Sequence, residues 1–235
     1  MSETTTPRRE FLGQIAASAI VLAGTACAGP LAANQSAPQP IAPPPAPTHW
    51  DDSWFGRLTT KHKAVFDSPE IEDGLAVSHA ASYITGMRAA IGAGSDVMSV
   101  LVIRHAAIPM AFNDAMWAKY EFGKEEKVKD DRTKRWAVRN PYLGASSANA
   151  GSGSDASDRP RGTLSWLASH GNILLGCDLA TRGMSTIIAG RTHQTADAVY
   201  EDLKANLVPG LILQPSGVYA VHRAQEAGCS YIRST

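Results

Sequence analysis

The run Val97-Met98-Ser99-Val100-Leu101-Val102-Ile103, followed at once by Arg104-His105, decides the fold. A short and nearly unbroken apolar run suits a central strand covered on both faces, as in a parallel sheet. Working outward, Ile173 to Cys177 (ILLGC), closed by Asp178, is a second strand of this kind. Leu211-Ile212-Leu213 is a third, Cys229 to Ile232 a last, and Lys63 to Phe66 a weaker first. Helical periodicity fills the gaps. Ala80, Ile84, Met87 and Ile91 form one apolar stripe within Ile71 to Ala93, and Gly92 and Gly94 supply its stop. Pro109 sits near a further helix start, with Phe112, Met116 and Tyr120 as the buried stripe. Thr163 to Ser169, Leu179 to Ala189, Ala196 to Leu207 and Val218 to Ala227 complete the helices, the last capped by Ser216. Lys124 to Arg135 is a mixed charge run expected on a solvated helix end or loop. This alternation predicts an α/β layered fold with a mostly parallel sheet of about five strands.

Composition sets the outer bounds. The chain has 235 residues, with 22 basic and 22 acidic side chains and no net charge. That length suits one domain with appendages. Apolar residues make up 44% and charged ones 19%, so a core can form and bulk disorder is not expected. Balanced charge without a basic block speaks against nucleic-acid binding, which needs a cationic footprint. Three cysteines are too few for a disulfide-stapled miniature fold. No run of about 18 apolar residues is present, so an integral membrane protein is not expected after signal removal.

Residues 1 to 28 read as an export signal. Arg8-Arg9-Glu10-Phe11-Leu12 has twin-arginine form, the apolar run Ile15 to Ala23 follows, and Ala26-Cys27-Ala28 offers small residues for cleavage. The expected destination is the periplasm or beyond. Cys27 has a second reading as a lipid-attachment site, against which Gly24 stands where lipoprotein signals usually carry Leu. Residues 29 to 48, rich in Ala and Pro, predict an extended spacer. The domain then spans 49 to 235. Within it Gly144 to Gly162, dominated by Ser, Ala, Gly and Asp, reads as a flexible insertion or a lid, the insertion being favoured.

Ligands of parallel sheets sit beyond the carboxyl ends of the strands. That rule singles out Arg104-His105, Gly176-Cys177-Asp178 and Gln214-Pro215-Ser216-Gly217. Cys177 stands at a strand end just before a helix, whose N-terminus favours the nucleophilic thiolate. The competing reading is a small buried apolar thiol. His105 is a candidate for proton transfer or thiolate support, or else a hydrogen-bonded loop histidine. Arg104 and Arg182 are candidate anion contacts, as is the Ser216-Gly217 helix start, with ordinary solvation and capping as the alternatives, and Asp178 is a candidate substrate contact. Cys229 reads as core, and a Cys177–Cys229 disulfide stays open. No HxH, HExxH or CxxC pattern supports a metal. Dinucleotide and P-loop fingerprints are absent, so no cofactor is expected, and G-x-S-x-G is absent too.

Three segments together resemble the DsrE/DsrF-like family: Gly171 to Cys177, Leu207 to Gly228 and Val100 to His105, so that the likeness covers Val97 to Ile232. The resemblance implies a small three-layer α/β domain that forms homo-oligomers. It further implies a strand-end cysteine, matched here by Cys177, that carries sulfane sulfur as a persulfide for a small sulfur-containing or anionic ligand. The export signal, the Gly144 to Gly162 insertion and the lack of a relay-type second cysteine depart from the sulfur-relay members. In these the chain is more similar to exported members of unassigned activity. Whether it is a sulfur carrier or a non-catalytic binding or assembly module therefore stays open at this level.

Overall fold

The structure, a computed structural model, describes residues 50–92, 96–144 and 162–235. The expected export signal with Cys27, the spacer and almost all of the Gly144 to Gly162 insertion lie outside the described residues. Five strands form one sheet: β1 His62–Ser68, β2 Val97–Ile103, β3 Ile173–Cys177, β4 Leu211–Gln214 and β5 Ser230–Arg233. Their order is β4-β3-β2-β1-β5, and every neighbouring pair runs parallel. The α-helices are α1 Leu75–Ile91, α2 Asp114–Lys119, α3 Phe122–Glu125, α4 Leu164–Ser169, α5 Asp178–Thr192, α6 Ala196–Ala205 and α7 Gly217–Glu226. The chain is thus an α/β three-layer sandwich.

Strand periodicity divides the core into two layers. Ala64, Phe66, Leu101, Ile103 and Leu174 face one side, where α1, α4, α5 and α6 bring Val77, Leu167, Ile188 and Leu203. Val65, Val100, Val102, Ile173 and Leu175 face the other, covered by Ala220 and Ala224 of α7 and by Trp54 and Leu58. The asymmetry follows from handedness. Right-handed crossovers stepping from β1 to β4 in one direction place their helices on a single face, and the return to β5 places α7 opposite.

Buried polar groups pin the register. Ser99 donates both its backbone N–H and its hydroxyl to Asn172 Oδ1, at 2.8 and 3.0 Å, just before the β2–β3 ladder begins at Val100 and Ile173. Asn172 Nδ2 donates to the Leu167 carbonyl at 3.1 Å and ties α4 to the same point. The ladders then bring Ser68 beside Ile103, Ile103 beside Gly176 and Cys177 beside Gln214. Four strands therefore end on one rim.

The structure moves several expected boundaries. β1 continues through Asp67 and Ser68, both buried, because a charge partner is waiting for the carboxylate. The helix expected from Ile71 starts at Leu75, since Asp73 and Gly74 take left-handed φ values of 51° and 77°. Around Pro109 a 3-10 segment, His105–Ala111, replaces the expected α-helix. Helix α2 begins only after Asn113, whose Oδ1 accepts the Met116 N–H at 3.2 Å. Phe112, Met116 and Tyr120 are nevertheless all buried. The charge run Lys124 to Arg135 is mostly exposed, as expected. Among the described residues no helix is long and apolar enough to cross a membrane.

Candidate functional site

A cleft of about 570 Å³ opens on the carboxyl rim of the sheet. It unites candidates from all three expected places: Arg104 and His105 after β2, Cys177 at the end of β3, and Ser216 and Gly217 after β4. Two helices begin here. Cys177 is the N-cap of α5, and its Sγ accepts the Ala180 N–H at 3.3 Å. Ser216 is the N-cap of α7, and its Oγ accepts the Tyr219 N–H at 3.1 Å. Both helix starts thus turn their partial positive charge toward the cleft. Cys177 lies low, only 6% exposed, with the sulfur at the boundary between core and cleft.

Arg104 is held firmly. Its Nε and Nη2 donate to the two Asp67 carboxylate oxygens at 2.6 and 2.8 Å. The Tyr231 hydroxyl adds a third bond to Asp67, at 2.9 Å. The hydrogen bond to Asp67 raises the arginine above its usual value, and Cys177 lies within its electrostatic range. The fork geometry leaves Nη1 out of the pair with Asp67. The aliphatic stem of Arg104 passes over Gly217, where a Cβ would stand 2.4 Å from the Arg104 Cβ. Gly217 therefore serves close packing of α7 on the rim.

His105 has a left-handed φ of 50°, which costs a non-glycine residue on the order of 1 kcal/mol. Its ring is largely in solvent, with Nδ1 3.5 Å from Glu70 Oε1. It shares the cleft with Cys177 but reaches toward Glu70. Glu126 closes the same side, its carboxyl pushed up by burial and by neighbouring Glu125.

Asp178 and Arg182 do not join this group. Asp178 is buried and accepts from Arg182 Nε at 2.8 Å and from the Tyr200 hydroxyl at 2.6 Å. The Arg182 guanidinium lies 4.0 Å from the centre of the Tyr200 ring. Burial, then the bond to Asp178, pushes the Tyr200 hydroxyl up to about 12. Arg182 instead borders a separate hollow with Trp50, Lys204 and Leu213. The two cysteines among the described residues, Cys177 and Cys229, are free. Cys229 packs in the opposite core layer from Cys177, and burial pushes its thiol up to about 11.

Other cleft residues escaped the sequence reading. Ile108, Leu179, Met184, Ile187 and Val218 form its apolar walls. Leu179, Ile187 and Val218 are 64, 64 and 68% exposed. A signal existed for part of this. Leu179, Gly183 and Ile187 recur every four residues, on a helix face distinct from the one that buries Thr181, Ser185 and Ile188. Asp67 and Tyr231 gave none, since nothing local tells a strand which distant arginine it will meet. Among the described residues no three His, Cys, Asp or Glu side chains gather as a metal site.

No family model and no curated protein matches the chain. One solved structure similar to it is a protein of unknown function from Methanobacterium thermoautotrophicum. The two share 14% identity over 74% of this chain and 99% of that one, with a TM-score of 0.38. A likeness so distant says nothing about chemistry.

Proposed function

We propose that the chain is an exported DsrE-like sulfur carrier that holds sulfane sulfur as a persulfide on Cys177. The observation that carries this is the Cys177 sulfur at a helix start, accepting the Ala180 amide at 3.3 Å on the wall of an open cleft. The thiolate is the form that attacks a donor, and the sulfur faces the Ala180 amide at the start of α5. The partial positive charge of that helix start would stabilise a bound persulfide anion. His105, at the mouth, is placed to exchange protons with solvent, and Arg104 offers Nη1 to an anionic group. Asp178 and Arg182 are occupied with each other, so they have a structural part in this reading.

The test is mass measurement of the intact chain after incubation with thiosulfate, polysulfide or an organic persulfide. A gain of about 32 Da that disappears on reduction and in Cys177→Ser is expected. No gain with any donor would refute the proposal. One observation favours a second reading, a ligand-binding or assembly module with a structural cysteine: Cys177 is only 6% exposed. Native alkylation separates the two. A thiol that reacts in the folded chain supports the carrier, and one that reacts only after unfolding supports the module.

A further inference from the structure

We propose that the cleft takes its sulfur from an aliphatic organic persulfide, R–S–SH, and not from a small inorganic sulfur anion. This rests on the persulfide reading above and narrows its donor.

Two observations carry it. The first is the wall chemistry. Leu179 and Ile187 on α5 and Val218 on α7 stand around one opening with roughly two thirds of their surface in water. Large apolar side chains grouped on separate elements around a cavity mark a site that gains by being covered with apolar material. The second is the charge balance. Among the described lining residues Arg104 is the one Lys or Arg, and Glu126 opposes it, so with His105 neutral the formal charges cancel. Arg104 already gives Nε and Nη2 to Asp67, so Nη1 is all it has left to offer an anion, too little to bind a dianion. A dianion such as thiosulfate would leave water for walls whose positive potential is limited to the two helix starts, and would approach a Cys177 thiolate that is itself an anion, which is unfavourable. An alkyl chain on the same walls gains with each methylene it buries.

The chemistry balances without an added oxidant. The Cys177 thiolate attacks the outer sulfur of R–S–SH and forms a new S–S bond. The bond between the two donor sulfurs breaks, and its electron pair leaves with R–S. That thiolate takes up the proton lost when Cys177 ionised, giving R–SH and Cys177–S–SH with no net oxidation. The α5 and α7 starts lie at the sulfur end, where this charge is exchanged.

The experiment loads the full chain with n-butyl persulfide, n-hexyl persulfide, thiosulfate or inorganic polysulfide at equal sulfane sulfur, following the rate of the Cys177-dependent mass gain. Hexyl is expected to load about tenfold faster than butyl, since two more methylenes are buried. Both should outpace the inorganic donors. Leu179→Ser and Val218→Ser, at exposed positions that leave the core intact, should flatten the chain-length dependence. Equal butyl and hexyl rates, or faster inorganic loading, would overturn this donor class and leave the persulfide reading standing. No loading from any donor, with the thiol shown free after unfolding, would remove both.

Discussion

Replacing Gly217 by alanine forces a choice between α7 and Arg104. The new Cβ would lie 2.4 Å from the Arg104 Cβ, 2.6 Å from Cδ and 3.0 Å from Cγ. The nearest atom is the rigid root of the side chain, so rotating the guanidinium away cannot relieve the clash. Either the start of α7 retreats from the rim by about 1 Å or the Arg104 backbone moves, and overpacking of this kind costs about 1–3 kcal/mol. Alanine recovers about 0.4–1 kcal/mol through the unfolded chain, because Gly217 is not in the left-handed region. The net expectation is a loss of about 1–2 kcal/mol, read as a lower urea midpoint at unchanged m-value. The control is Gly86→Ala in the middle of α1, where no atom comes within 4 Å of the added Cβ. That change should raise stability by about 0.5–1 kcal/mol. Should Gly217→Ala match the gain of Gly86→Ala, the close packing of Arg104 on α7 is wrong, and with it the fixed position of the arginine in the cleft.

Three further changes probe the rest of the frame. Tyr200→Phe removes one of the two side-chain donors to buried Asp178 and should cost about 1–2 kcal/mol, while leaving the Arg182 pair in place; a change below about 0.3 kcal/mol in urea unfolding would show that bond to be idle. Asn172→Leu strands the buried Ser99 amide and should cost about 1–3 kcal/mol, with faster deuterium exchange at Ser99 as the local signature. Cys229 links stability to alkaline pH. Its folded thiol titrates near 11 rather than at the usual 9, so the unfolded chain ionises first and stability falls as pH rises between them, by about 2 kcal/mol at the upper end. Wild type and Cys229→Ala should therefore run parallel below about pH 9 and converge above it; parallel curves throughout would refute the buried-thiol assignment.

The fold was legible because its strands announce themselves. Val97–Ile103 and Ile173–Cys177 match their expected limits, and α7 and β5 lie within one residue of theirs. Such runs are buried on both faces, so composition alone carries the signal. The site was legible only in part. Strand ends gave Arg104, His105, Cys177, Ser216 and Gly217 because a parallel sheet gathers its carboxyl ends. Arg182 went astray although the signal was present: Asp178 stands four residues before it on one helix, a spacing that favours an ion pair. Asp67 was cut off from its strand because a carboxylate ends an apolar run. Its inclusion depends on Arg104 and on Tyr231, 37 and 164 residues away.

The face of the sheet behind α7 has a temporal consequence. Its cover is supplied from near the two ends of the domain: Trp54 and Leu58, which leave the ribosome early, and Ala220 and Ala224, which leave it after four of the five strands. A nascent chain halted before α7 would show Val65, Val100, Val102, Ile173 and Leu175 to solvent under only half a roof. The opposite face could already be closed at that stage. Completion of this domain is thus a late event in its own synthesis, and trimming the amino end back to β1 or the carboxyl end back to β4 would leave a sticky half-built sheet.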